Sequence, residues 1–172
     1  MSCCGVTSVA ADTPAVVLPW ELITDIGNKL AQAVRTDGMP DIIVGILRGG
    51  MIPAVRLAHA LGLREIRALD VRHTIGDGVA AAKAFRPIAR NIASLGDLTG
   101  LHVLLIDDVA GTGQTMQTCR RLTAEAGAET IRTATCVLNK ANWPRSGGDV
   151  RETFTYIGAT YQKWVVFPWE NQ

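Results

Sequence analysis

The sequence lacks an excess of charge of either sign. Its 172 residues contain 17 Lys and Arg against 16 Asp and Glu, which leaves a formal net charge of +1. Proteins that bind nucleic acid through its phosphates usually carry a clear basic excess, so this balance argues against a nucleic-acid interface. Long apolar runs are also lacking, and none approaches the roughly 20 apolar residues that a membrane-spanning helix needs. We therefore expect neither nucleic acid nor a membrane as a partner.

Cysteine and histidine are few and scattered. The four cysteines form no Cys-x-x-Cys pair, and His59, His73 and His102 lie far apart, so the spacing of a zinc site is missing. No Lys or Arg precedes Lys29, and a secretory signal would begin with such residues. These features predict a cytoplasmic protein with reduced thiols. Aromatic residues make up only 5% of the chain, but apolar residues reach 48%, enough for the core of one α/β domain.

Segments typical of strands and of helices alternate along the chain. Apolar runs predict strands at 42–47, 66–71, 103–106, 131–138, 156–160 and 164–167. Apolar residues at helical spacing predict helices at 20–36, 51–61 and 114–126. This alternation predicts an α/β fold, in which a parallel, twisted sheet is flanked by helices on both faces. Such sheets bind their ligands at the carboxyl ends of the strands.

The predicted domain organisation has three parts. Residues 1–18 are expected to form a flexible leader, and residues 19–140 an α/β core. Within this core, residues 73 to about 92 show no clean period and predict a long mobile loop, a feature usually found at functional sites. Residues 141–172, which contain the last two predicted strands, are expected to form a small C-terminal hood.

The most informative segment is 103–115, Val-Leu-Leu-Ile-Asp-Asp-Val-Ala-Gly-Thr-Gly-Gln-Thr. A buried strand delivers two adjacent carboxylates, Asp107 and Asp108, to the edge of the sheet. A turn with two glycines and two threonines then presents backbone N–H groups at the start of a helix, which suits a phosphate monoester. Sugar hydroxyls or magnesium would satisfy the carboxylates beside it. The alternative is a plain strand–turn–helix junction whose acids only cap the helix.

This segment resembles the signature of type I phosphoribosyltransferases, which use 5-phosphoribosyl-1-pyrophosphate (PRPP), and the resemblance extends over most of the chain. It implies that Asp107 and Asp108 hold the ribose hydroxyls and the cofactor Mg²⁺. It also implies that the turn at Arg48 and Gly49 binds pyrophosphate, with Arg48 and the acidic pair as the catalytic residues. Family members often have a cis peptide at this turn. The 5′-phosphate contacts implied by the resemblance are Ala110, Gly111, Thr112, Gly113, Gln114 and Thr115.

The end of the chain resembles the xanthine/guanine/hypoxanthine branch of that family. In this branch a lysine donates to the purine 6-oxygen, an aromatic residue stacks on the base, and the backbone of the next residue reads the 2-position. Lys140, Trp164 and Val165 match these places. The resemblance therefore implies a purine phosphoribosyltransferase of nucleotide salvage, with a homodimer as the common assembly. A lysine donor disfavours adenine, because the 6-amino group of adenine is itself a donor.

One residue departs from the pattern of this branch. The resemblance implies an aspartate that handles the proton at purine N7, and the sequence has Gly111 in its place. Three explanations stay open. The enzyme uses an ordinary 6-oxopurine while another group or water takes the proton. Alternatively, the chain is a PRPP-binding regulator with little catalysis. In the third, the base is a 7-substituted 7-deazapurine, which has carbon at position 7 and needs the room that glycine leaves.

Overall fold

The computed structural model describes residues 15–74, 83–144 and 148–170. The α-helices in these ranges are α1 (Trp20–Thr36), α2 (Met51–Leu61), α3 (Gln114–Glu125) and α4 (Val150–Thr153). The strands are β1 (Val16–Val17), β2 (Ile42–Leu47), β3 (Ile66–Thr74), β4 (Lys83–Ala89), β5 (His102–Ala110), β6 (Thr130–Asn139), β7 (Tyr156–Tyr161) and β8 (Val165–Val166). Among these helices, none combines the length and apolar character needed to cross a membrane.

The central sheet has six strands in the order β4-β3-β2-β5-β6-β7. Neighbouring strands run parallel, except for the antiparallel pair of β3 and β4. The predicted α/β class with a mostly parallel sheet is therefore confirmed. Because β2, β5 and β6 lie side by side and point the same way, the turns that follow them meet at one edge of the sheet.

Helices cover both faces of the sheet, because successive side chains along a strand point to opposite sides. In β5, Leu104 and Ile106 pack on the face covered by α1 and α2, whereas Val103 and Leu105 pack on the face covered by α3. Helix α1 buries an apolar stripe at the predicted four-residue spacing: Ile26, Leu30 and Val34. The part of β5 that precedes the acidic pair is thus buried on both faces. This burial fixes the position of the carboxyl end of the strand.

A polar cluster ties the opposite edge of the sheet together. The Tyr156 hydroxyl donates to Asp37 Oδ2 at 2.9 Å and accepts from Arg132 Nη1 at 2.9 Å. Arg132 Nη2 also donates to the Gly38 carbonyl at 2.6 Å. These bonds join β6 and β7 to the segment that follows α1, at the end of the sheet away from the candidate site.

The prediction of a long mobile loop at 73–92 is wrong for most of the residues that the structure describes in this range. Strand β3 continues to Thr74, Lys83–Ala89 form β4, and Ile92–Leu95 form a 3₁₀ helix. Pro87 and the basic residues of this segment obscured the strand pattern. An edge strand tolerates both, because one side of its backbone has no strand to bond. The central part of the predicted loop, 75–82, lies outside the described residues.

The boundary of the predicted leader is also wrong. Val16 and Val17 form β1, which pairs in parallel with β8, and the Leu18 side chain is buried. A two-residue strand carries too little pattern to be recognised, and its partner lies at the other end of the domain. Residues 1–14 of the predicted leader lie outside the described residues.

The first strand of the predicted hood belongs to the central sheet instead. Strand β7 pairs with β6 as the edge strand of the sheet, whereas β8 forms the separate two-stranded sheet with β1. A Cβ on Gly158 would overlap Ile26 Cγ2 and lie 2.6 Å from the Cys136 carbonyl oxygen. The glycine that interrupts this apolar segment therefore allows β7 to pack closely under α1.

Candidate active site

The acidic pair lies within a strand rather than after it. Strand β5 continues past Ile106, and its pairing with β6 extends to Ala110 opposite Leu138. The sequence predicted that the strand ends before Asp107, because carboxylates are unusual inside a buried strand. Here the strand carries both acids to the carboxyl edge of the sheet, where each side chain is partly exposed.

The two carboxylates stand close together with few donors around them. The Asp108 N–H donates to Asp107 Oδ1 at 3.0 Å, and the Val109 N–H donates to Asp108 Oδ1 at 2.8 Å. Burial raises the pKa of Asp107 well above its usual range, and the charge of Asp108 raises it further. Burial also raises the pKa of Asp108, with a smaller contribution from the charge of Glu170. A pair held in this state would be stabilised by hydroxyl donors or by a cation.

The turn after β2 packs directly against this pair. A Cβ on Gly49 would overlap Asp108 Oδ2, and a Cβ on Gly50 would lie 2.8 Å from the Ile106 carbonyl oxygen. Only glycine permits the backbone to approach the Asp108 side chain at position 49, or the Ile106 carbonyl at position 50, so closely. The turn begins with Arg48, whose side chain is exposed and whose peptide bond with Leu47 is cis. The two elements predicted to bind PRPP are therefore in contact.

The turn between β5 and α3 forms the next wall of the site. Gly113 precedes the first residue of α3 with φ +77°, a conformation that favours glycine. The N–H groups in the first turn of this 12-residue helix have no carbonyl partner within the helix. Ala110 is buried, Gly111, Thr112 and Thr115 are partly exposed, and Gln114 is exposed. These residues can surround an anion as the sequence predicted.

Lys140 begins a 3₁₀ turn, Lys140–Asn142, directly after β6. The Asn139 side chain accepts from the Ala141 N–H at 3.2 Å, and the Trp143 N–H donates to the Lys140 carbonyl at 3.2 Å. The turn is thus fixed at both ends, while the Lys140 side chain is exposed. Because β6 is the neighbour of β5, this lysine lies at the same edge as the acidic pair.

Trp164 and Val165 lie where the chain enters β8. The Trp164 carbonyl accepts from the Val16 N–H at 2.8 Å, and the Val166 carbonyl accepts from the Leu18 N–H at 2.9 Å. In a parallel pair, alternate residues bond to the partner, so the N–H and C=O groups of Val165 face away from β1. The Val165 side chain is buried and the Trp164 side chain is 37% exposed. The backbone groups of Val165 thus have no partner in β1, and part of the Trp164 ring is exposed.

The segment after β8 returns to the acidic pair. The Phe167 N–H donates to Glu170 Oε2 at 2.7 Å, which closes a short turn. The charge of Glu170 contributes to the raised pKa of Asp108, so this turn lies near the carboxylates. The structure therefore places the Arg48 turn, the acidic pair and the turn of residues 110–115 (the phosphate turn) at one edge of the sheet, with Lys140 at the end of the neighbouring strand.

Two residues that contact the phosphate turn were not expected from the sequence. A Cβ on Gly111 would lie 3.2 Å from Asn142 Cβ, and a Cβ on Gly113 would lie 3.0 Å from the ring of Trp143. Both side chains therefore pack on the phosphate turn. The sequence has no signal for these contacts, because the two segments are distant in the chain and neither asparagine nor tryptophan matches a motif there.

The chain is similar to known phosphoribosyltransferases in sequence and in fold. Residues 17–171 match the family model described as "Phosphoribosyl transferase domain". A xanthine-guanine phosphoribosyltransferase from Ruegeria sp. (strain TM1040) is 28% identical over 152 residues, which cover 83% of this chain and 79% of that protein. The crystal structure of a purine phosphoribosyltransferase from Pyrococcus horikoshii is 32% identical, with a TM-score of 0.73 and coverage of 93% and 96%. A Helicobacter pylori xanthine-guanine-hypoxanthine phosphoribosyltransferase structure shares the fold at 17% identity, with a TM-score of 0.68 and coverage of 91% and 94%.

Proposed function

Because the chain belongs to the phosphoribosyl transferase family and is a PRPP-dependent purine phosphoribosyltransferase, we propose that its base is a 6-oxopurine. The reaction moves the 5-phosphoribosyl group of PRPP onto guanine, xanthine or hypoxanthine and gives a nucleoside monophosphate and pyrophosphate. The observation that carries the reaction is the contact between Gly49 in the Arg48 turn and Asp108, which joins the two elements expected to bind PRPP. The Ruegeria relative, named as a xanthine-guanine enzyme, supports the choice of base.

Three elements of the site are proposed to bind PRPP. Asp107 and Asp108, when ionised, accept hydrogen bonds from the ribose hydroxyls. The guanidinium of Arg48 and the backbone of Gly49 bind the pyrophosphate, since arginine pairs well with phosphate oxygens. The N–H groups and hydroxyls of 110–115 surround the 5′-phosphate at the start of α3. PRPP binding favours the charged form of both carboxylates, because the ribose hydroxyls donate hydrogen bonds that offset their mutual repulsion.

The acidic pair also fits Mg²⁺. Within the described ranges, no group of three or more His, Cys, Asp or Glu side chains is arranged to hold a metal ion. Mg²⁺ usually takes one or two carboxylates together with substrate phosphates, and Asp107 and Asp108 supply that number. When bound with PRPP, the ion would neutralise charge on the departing pyrophosphate.

The base half is assigned to Lys140, Trp164 and Val165. The Lys140 ammonium donates to the 6-oxygen, the exposed Trp164 ring stacks on the purine, and the outward backbone groups of Val165 bond the 2-position edge. Stacking and these bonds hold the attacking ring nitrogen toward the ribose.

Pyrophosphate release from PRPP and Mg²⁺ tests this function. The panel of bases contains guanine, hypoxanthine, xanthine, adenine and uracil. We expect turnover with 6-oxopurines alone, and we expect Lys140→Ala to raise their KM at least about tenfold, because a hydrogen bond from a charged donor is lost. The KM for PRPP should stay within about twofold. Lys163→Ala, which removes an exposed lysine outside the proposed contacts, is the matched control. Equal losses in both variants would contradict the role of Lys140.

Gly111 favours a second candidate substrate, a 7-substituted 7-deazapurine. The backbone at Gly111 is not in the left-handed region, so glycine is not needed for conformation there. Its effect is to omit the carboxylate that would otherwise lie beside the proposed base. Adding 7-cyano-7-deazaguanine to the panel separates the candidates. Turnover of that compound while guanine stays inert would establish the second, and PRPP binding with no turnover of any base would indicate a regulator instead.

A further inference from the structure

A polar side chain that follows Lys140 lies beside the phosphate turn. Asn142 is the last residue of the 3₁₀ turn that begins at Lys140. A Cβ on Gly111 would lie 3.2 Å from Asn142 Cβ and 3.7 Å from Asn142 Nδ2. The amide of Asn142 therefore occupies the space beside Gly111 that a larger residue at 111 would need.

The amide of Asn142 is available to a ligand. Over the described residues its side chain makes no hydrogen bond, and it is exposed. The turn does not depend on it, because the Asn139 side chain and the Trp143 N–H supply the bonds that fix the backbone. An amide carries both donor and acceptor atoms and does not titrate. This side chain can thus bind a polar edge of a ligand at any ordinary pH.

The position of Asn142 matches one edge of the base, given the proposed function on which this step rests. A purine has two edges between its 6-oxygen and the nitrogen that joins the ribose. One edge passes through N1 and the 2-position, and that edge faces Val165 in the proposed pose. The other passes through N7. Asn142 lies between the turn of Lys140, which takes the 6-oxygen, and the turn at Gly111 on the sugar-phosphate side.

We propose that the Asn142 amide binds the N7 edge of the base and determines specificity at position 7. Asn142 Nδ2 donates a hydrogen bond to the bare N7 of a purine nucleotide. A 7-deazapurine with hydrogen on C7 has no acceptor there, whereas a 7-cyano substituent again presents one. A side chain at 111 would compete with the amide for this space, which links the glycine and the asparagine in one specificity element.

The proposal is tested by removing the Asn142 amide from the protein and N7 from the ligand, separately and together. Calorimetry gives the Kd of guanosine 5′-monophosphate and of its 7-deaza analogue for the full chain and for Asn142→Ala. The unmodified protein should bind the purine nucleotide about three- to tenfold more tightly, the effect of one neutral hydrogen bond. Asn142→Ala should bind the two nucleotides equally, with PRPP affinity within about twofold. Asn28→Ala, an exposed asparagine on α1, should keep the original preference.

Loss of the Asn142 role and loss of the proposed function would give different results. If Asn142→Ala retains the preference for N7, or if the unmodified protein has none, the role of Asn142 is overturned while 6-oxopurine turnover still supports the proposed function. If neither nucleotide binds to a protein that binds PRPP, the proposed function is overturned, and this inference with it. Tight binding of a 7-cyano-7-deazapurine nucleotide that Asn142→Ala abolishes supports the assignment and identifies the second candidate substrate.

Discussion

Replacing Gly49 by alanine should weaken both PRPP binding and stability, although it adds a single methyl group. The new Cβ would overlap Asp108 Oδ2 and lie 2.5 Å from Asp108 Cγ and 3.1 Å from Oδ1. Carbon atoms in good contact are about 3.5–4.0 Å apart. Asp108 has little room to withdraw, because its backbone belongs to β5 and its Oδ1 accepts the Val109 N–H at 2.8 Å.

The size of the effect follows from this overlap. Adding a methyl group to a well-packed position costs about 1–3 kcal/mol. In a domain of this size, a loss of about 1 kcal/mol lowers Tm by roughly 2–4 °C, so Gly49→Ala should melt several degrees below the unmodified protein. The Asp108 carboxylate must also leave the position proposed to accept a ribose hydroxyl. The Kd for PRPP should therefore rise at least about tenfold, which corresponds to about 1.4 kcal/mol.

Gly27→Ala is the matched control for this change. Gly27 lies in α1, and no atom lies within 4 Å of the position that its Cβ would take. Alanine is favoured over glycine inside a helix by about 0.8–1.0 kcal/mol, so this variant should melt higher and bind PRPP as before. Scanning calorimetry and titration calorimetry measure both quantities. If Gly49→Ala melts like the unmodified protein and binds PRPP equally well, the turn does not pack on the acidic pair as described.

Three further outcomes are expected. Burial and the charge of Asp108 raise the pKa of Asp107, so the folded state favours its protonated form and the unliganded protein loses stability as pH rises from the unfolded pKa through the folded pKa. Asp107→Asn should flatten this fall in a series of Tm measurements from acid to neutral pH and should raise Tm at pH 7, while PRPP binding is lost; an unchanged slope would refute the assignment. Burial raises the pKa of the Cys136 thiol, so a thiol reagent at pH 8 should label it only after unfolding. Arg132→Ala should cost about 1–3 kcal/mol of unfolding free energy in denaturant titrations, because the Tyr156 hydroxyl and a carbonyl lose their donor, without a change in KM for either substrate.

Elements with a complete local pattern were predicted at nearly their observed bounds. Helix α1 and strand β2 are examples, because the apolar spacing of each is set by packing on one face or by burial on both. Strand β4 was not predicted, since proline and charge are acceptable at an edge and leave no alternation to read. Strand β1 is two residues long, and only its partner β8 makes it a strand.

The candidate site divides in the same way. The acidic pair and the phosphate turn occupy one short segment, so their proximity could be predicted from spacing alone. The contact between Gly49 and Asp108 depends on β2 and β5 being neighbours in the sheet. The contacts of Asn142 and Trp143 with the phosphate turn depend on a turn that follows a different strand. Contacts of this kind are decided by tertiary packing, and a single sequence does not encode them in any local pattern.

The pairing of β1 with β8 joins segments from the two ends of the domain, and it involves the residues proposed to bind the base. Val16 and Val165 are partners in this ladder, although almost the whole domain separates them in the chain. Joining segments so distant carries a greater entropic cost of loop closure than the pairing of β2 with its nearer neighbours. During translation, the residues of the PRPP half, from Arg48 to Thr115, are synthesised before Trp164 and Val165. The segment proposed to stack on the base is therefore synthesised after the residues proposed to bind PRPP and after Lys140.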